Sequence, residues 1–122
     1  MVTLKLLDEV YQIPLDSQVI EAAYGMNGAG RYGAQCGLVE GMLMFLGIWG
    51  KARRISYQET QELCREYAGL FEDTFGSLLC SCLRPEAGAS ASDPDHPCEE
   101  LKIKAILLDR EFLSIKDPIN IN

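Results

Sequence analysis

With 122 residues and 48% hydrophobic content, the chain has the size of one domain around a single core that needs no crosslinks to hold it. Its formal charge of −7, with Lys and Arg scattered, leaves no basic stripe to neutralise phosphates or grip an anionic membrane, which argues against nucleic acid as a partner. The most apolar run, Leu38 to Trp49, carries Glu40 and is too short to cross a bilayer, and Met1 to Leu7 lacks the order of a signal peptide. A cytoplasmic protein without membrane insertion is the expectation.

In chain order, Leu4, Leu6, Leu7, Val10 and Tyr11 recur at helical spacing, and Pro14 with Asp16 ends that first helix and caps a second. Val19, Ile20, Ala23 and Tyr24 continue the period until the glycines at 25, 28, 30 and 33 stop it in a flexible glycine loop. Leu38, Val39, Met42, Leu43, Phe45, Leu46 and Trp49 cover nearly the whole circumference of the next helix, the pattern of an element surrounded by others. Ser56 and Glu59 form a capping box before a long amphipathic helix with Thr60, Leu63, Cys64, Tyr67, Phe71 and Phe75 on its apolar stripe. Residues 85–96 lack any hydrophobic period and read as a mobile surface connection. A last helix starts near Pro97 with Leu101, Ile103, Ala105, Ile106, Leu107, Phe112 and Leu113 as its buried side, and residues 116–122 form a tail. The fold class is therefore all-α, a single-domain bundle of about five helices spanning 1–122.

Gly28-Ala29-Gly30-Arg31-Tyr32-Gly33 matches the glycine spacing of dinucleotide-binding turns, but the segment before it reads as helix and no βαβ unit is available. A tight turn with close backbone packing accounts for it. No serine sits in a nucleophile elbow, and the carboxylates show no pair on an apolar background.

The cysteines carry what chemistry the sequence offers. Five of them in a reducing compartment make a poor disulfide scaffold, which leaves metal binding, redox chemistry or burial. Cys36 lies where the glycine loop becomes the central helix, so unpaired amides and the helix dipole favour its thiolate as a nucleophile or a metal ligand. Cys98 follows Pro97 in the first turn of the last helix, where Glu99 and Glu100 oppose the same effect. Cys80 and Cys82 flank Ser81, a spacing that aims two sulfurs at one metal when the chain is extended, and His96 is the sole histidine. No paired spacing of a zinc site occurs. Cys64 shares the period of the buried residues around it and reads as core.

Gly33-Ala34-Gln35-Cys36-Gly37-Leu38-Val39-Glu40-Gly41, then Phe75-Gly76-Ser77 leading to Cys80, then Pro97-Cys98-Glu99-Glu100-Leu101 resembles the redox-active proteins named for their C…GCAxxG…C…C pattern. The likeness runs from about Leu4 to Leu113. It implies a small helical protein with four family cysteines, often encoded beside transporter genes and similar to the iron–sulfur domain of split-Soret cytochromes. By motif, Cys36, Cys80 and Cys98 inherit the family role. Leu38 stands where a small residue is usual, and the first family cysteine has no counterpart here. An in-frame extension upstream of Met1 would restore it, or Cys82 replaces it.

Three readings stay open. In one, Cys36, Cys80 and Cys98 hold an iron–sulfur cluster or another metal, with Cys82 as fourth sulfur. In the second, two of these thiols exchange with a disulfide without metal, in company with a redox partner protein. In the third, the cysteines only pack within a structural or interaction module. The first two require Cys36, Cys80 and Cys98 to meet at one end of the bundle, beside the glycine loop, because two of them open helices and the other closes one.

Overall fold

The computed structural model describes residues 2–26, 28–79, 83 and 99–116. The connection 85–96, the tail beyond residue 116, His96 and the cysteines at 80, 82 and 98 lie outside the described residues. Five helices follow one another: α1 (Val2–Tyr11), α2 (Ser17–Ala22), α3 (Gly37–Ala52), α4 (Tyr57–Phe75) and α5 (Glu99–Lys116). Among the described residues the only extended pairing is a single antiparallel bridge, Gln35 with Leu79. The all-α class read from the spacing is what the chain adopts. No described helix is long and apolar enough to cross a membrane.

α3 is the centre of the bundle, as its all-round hydrophobicity predicts. Val39, Met42, Phe45, Leu46 and Trp49 are fully buried, with Leu4 and Leu7 of α1, Tyr67 and Phe71 of α4, and Ala105, Phe112 and Leu113 of α5 in the same core. Its glycines set the closeness of its neighbours. A Cβ at Gly41 would stand 3.2 Å from Thr3 Cβ of α1, and one at Gly50 would stand 2.6 Å from Thr60 Oγ1 of α4. α3 and α4 form an antiparallel hairpin, because Gly50 meets Thr60 near the turn while the Cys64 thiol points to the Leu43 carbonyl at 3.9 Å farther along.

α4 begins as the capping signal predicts: Glu59 N–H donates to Ser56 Oγ at 3.1 Å. The return contact differs from the reciprocal form, since the Ser56 hydroxyl itself donates to Glu59 Oε1 at 3.0 Å. The helix ends at Gly76, whose left-handed φ of 92° lets its amide reach the Glu72 carbonyl.

Two helices bury less than their apolar content suggests. α1 turns Leu4 and Leu7 inward and leaves Val10 52% exposed, while α5 leaves Ile103 and Leu107 each 57% exposed. The inward stripe of α5 is Ala105, Asp109, Phe112 and Leu113, spaced by four, three and one, so Ile103 and Leu107 fall outside it. Lys116, expected at the start of the tail, is the last helical residue. It is held by Glu66 at 2.6 Å and lies over the Phe112 ring at 5.8 Å.

The glycine segment is more ordered than a flexible loop. Gly28, Ala29, Gly30 and Arg31 all have φ between 55° and 69°, one turn of left-handed helix. Gly28 C=O accepts from Gly33 N–H at 3.0 Å and from Ala34 N–H at 3.1 Å, which closes the turn just ahead of α3. Left-handed backbone crowds the Cβ of an L-residue, so glycine relieves it and alanine adds to it. Ala29→Gly is therefore expected to stabilise the fold by about 0.5–1 kcal/mol and Gly30→Ala to destabilise it by about 1 kcal/mol. Urea midpoints of the two variants check this; the same sign for both would show that the turn is not left-handed in solution.

Candidate functional site

Cys36 occupies the N-cap of α3 in extended conformation, with φ −68° and ψ 137°. Its carbonyl accepts from Val39 N–H at 3.0 Å and from Glu40 N–H at 3.1 Å, and its own amide donates to the Leu78 carbonyl at 2.8 Å. That bond and the Gln35–Leu79 bridge lay the segment after α4 along the segment before α3. The thiol sits at the positive end of a helix that runs Gly37–Ala52, the placement read from the sequence, where an anion is favoured. Cys36 is also 4% exposed, so chemistry there needs either a small reagent or a partner chain segment reaching it.

Beneath the start of α3 is a space of about 10 Å³ lined by Leu4, Ala23, Met26, Gly37, Glu40 and others, which is about the room one water needs. Burial pushes the half-buried Glu40 carboxyl above its ordinary range, and its Oε1 is buried without a hydrogen-bond partner.

A second polar group lies deeper. Tyr67 of α4 and Asp109 of α5 are both fully buried, and the Tyr67 hydroxyl donates to Asp109 Oδ1. The Tyr67 ring packs edge-on against Phe112, with centroids 5.5 Å apart. Burial pushes Asp109 up to about 7 although the Tyr67 hydrogen bond pulls it back. Tyr67 is raised far above its ordinary value, by burial first, then by the charge and hydrogen bond of Asp109, and then by the nearby Cys36. Asp109 Oδ2 is buried with no hydrogen-bond partner. Tyr67 entered the sequence reading only as part of an apolar stripe, and Asp109 not at all. Its signal was the helical period, which places residue 109 between Ala105 and Phe112 on the inward face of α5.

Cys64 is half-buried at the α3–α4 seam beside Leu43, and burial raises its thiol above the ordinary range. Leu43 is seven residues into α3 from Cys36, roughly 10 Å along the axis, so Cys64 packs and does not join Cys36. Cys80, Cys82 and Cys98 lie outside the described residues, but the residues beside them are described. Leu79, next to Cys80, is bridged to Gln35, Leu83 N–H donates to the Leu79 carbonyl at 3.0 Å, and Glu99 opens α5. Among the described residues no three of His, Cys, Asp and Glu gather in an arrangement that could hold a metal ion. Cys36 is the single described member of the four-sulfur set that a cluster would use.

Neither a curated protein nor a solved structure matches the chain. One family model does, over residues 1–110, a span that contains Cys36, Cys80, Cys82 and Cys98. The chain belongs to the family described as "Putative redox-active protein (C_GCAxxG_C_C)".

Proposed function

We propose that the protein is a thiol redox carrier in which Cys36 and Cys80 pass between dithiol and disulfide, exchanging an electron pair with a disulfide-bearing partner. The observation that carries this is the backbone pairing at the start of α3. Cys36 N–H bonds to Leu78, and Gln35 pairs with Leu79, so the chain enters Cys80 directly from a residue held beside the Cys36 segment. A disulfide needs Cα atoms roughly 4.4–6.8 Å apart, and an antiparallel register of this kind favours that approach.

The cycle balances without metal. The Cys36 thiolate attacks one sulfur of the partner disulfide, forming a mixed disulfide and releasing a partner thiolate. The Cys80 thiolate then attacks Cys36 Sγ, closing the internal disulfide and releasing the second partner thiolate. The two protons given up by Cys36 and Cys80 end on the partner thiols. Cys98, which opens α5, and Cys82 are the further family sulfurs of this site. A cytoplasmic location and a functional link to a transporter belong to the same proposal and rest on the family likeness. An iron–sulfur cluster on Cys36, Cys80, Cys82 and Cys98 is the rival arrangement of the same thiols.

Treatment of the full chain with oxidised glutathione, followed by proteolysis without reductant, is expected to yield a linked Cys36–Cys80 peptide pair that disappears in Cys80→Ser. Full alkylation of every cysteine after oxidation would defeat the reading. Stoichiometric iron and acid-labile sulfide after anaerobic purification would replace it with the cluster.

A further inference from the structure

Three helices bring one titratable side chain each to the same place. Cys36 comes from the start of α3, Tyr67 from the middle of α4 and Asp109 from α5, and all three belong to the buried interior. The Tyr67 hydroxyl donates to Asp109 Oδ1, and Cys36 lies close enough for a thiolate charge to be felt at that hydroxyl. Asp109 Oδ2 has no hydrogen-bond partner although it is buried. Packing gives no reason for a carboxyl at this position, since an apolar side chain on the inward stripe of α5 would avoid the cost of burying it. Two negative charges separated by one phenol in a dry interior repel strongly. The cluster therefore holds one such charge readily and two only with difficulty.

We propose that Cys36, Tyr67 and Asp109 form one proton-sharing unit, in which Asp109 takes up the proton that Cys36 releases and the Tyr67 hydroxyl turns from the carboxyl to the sulfur. The proposal rests on Cys36 as the redox thiol and deepens it, naming Tyr67 and Asp109 as the residues that position and poise that thiol. At rest Cys36 is a neutral thiol, and Asp109 carries the charge and accepts from Tyr67 O–H. On activation the S–H bond breaks, an O–H bond forms on Asp109 Oδ2, and Tyr67 redirects its hydroxyl to Sγ. One negative charge is present before and after, and no electron is moved. The thiolate thus forms in the interior without an added buried charge.

The groups that act on the Tyr67 hydroxyl are Asp109 from α5 and Cys36 from α3, and Tyr67 is the hydrogen-bond partner that acts on Asp109. Lys116 and Glu66 pair with each other on the solvent side of the α4–α5 seam. Cys64 is turned to Leu43, and Glu40 lines the small space beneath the start of α3. Asp109 has an affinity for a proton near neutrality, as an acceptor for a thiol proton requires.

The test is a carbon-13 titration of the reduced full chain, following Asp109 Cγ and Cys36 Cβ together. The expected result is that both signals move through one shared midpoint near neutrality, with Cys36 completing its change only in a second step at higher pH. Tyr67→Phe is expected to separate the two midpoints by about one unit or more, and Asp109→Asn to reduce Cys36 to a single step. A Cys36 signal in the native chain that stays still while Asp109 titrates overturns the proposal, whether or not either variant folds. The oxidation experiment separates the two ideas. Shared titration without any disulfide defeats the thiol-carrier reading alone, and a disulfide with independent titrations defeats the proton-sharing unit alone.

Discussion

An Asp109→Asn variant is expected to be more stable than the native chain at about pH 8 and no more stable at about pH 3.5, so that the two stability curves cross. Asp109 is raised from 3.8 to about 7 in the folded chain. The sign follows from proton linkage. Below the unfolded value the carboxyl is protonated in both states and burial carries no ionisation cost. As pH rises toward 7 the unfolded chain releases the proton while the folded chain keeps it, so stability is lost across that window and then levels off. A shift of about three units corresponds to a loss on the order of 4 kcal/mol. Asparagine does not titrate, so this slope is absent from the variant. Its oxygen still accepts from Tyr67, but its amide lies where Oδ2 has no partner, at a cost of roughly 1–3 kcal/mol at every pH. Urea unfolding of both chains at a series of pH values measures the effect. Parallel curves would show that Asp109 titrates alike in the folded and unfolded states.

The second large effect is expected at Phe45. It is fully buried in the middle of α3, with its ring 5.7 Å from that of Tyr11 across the α1 interface. Phe45→Ala removes that ring from the one helix that touches α1, α4 and α5, and such truncations cost about 3–5 kcal/mol. That is a large share of the roughly 5–15 kcal/mol that holds a domain together. Val10→Ala, on the exposed edge of α1, is the control and is expected to change stability by less than about 1 kcal/mol. Thermal unfolding followed by circular dichroism distinguishes them. Similar melting temperatures for the two variants would remove α3 from the centre of the core.

The sequence carried the helices well where composition and caps agreed. The all-round apolar content of α3, the Ser56 cap of α4 and the stop at Gly76 each come from residue types with one dominant conformational use. Local preference failed where two backbone solutions were open. A run with glycines at 28 and 30 reads equally as a loose loop or as a left-handed turn, and the turn is selected by bonds from Gly33 and Ala34 to the Gly28 carbonyl, which spacing does not reveal. The placement of Cys36 at a helix start was legible because a glycine-rich segment precedes it and a continuous apolar helix follows. The Leu78 bond to its amide was not, since it joins segments forty-two residues apart. Asp109 escaped notice because a charged residue is ordinarily assigned to the outer face, and in α5 the exposed Ile103 and Leu107 exchange roles with it.

The two close approaches along α3 bear on how the molecule moves. Gly41 is set against Thr3 and Gly50 against Thr60, so α3 is keyed to α1 near one end and to α4 near the other. A helix held at two such points resists sliding, because translation along its axis drives a backbone into a threonine side chain, and close-packed interiors shift between discrete arrangements rather than deform smoothly. Strain introduced at Cys36 is therefore not spread along α3. It is passed backward into the left-handed turn 28–31 and sideways into the Leu78–Leu79 segment, which is where a change in the bonding of the sulfur would surface as a change of shape.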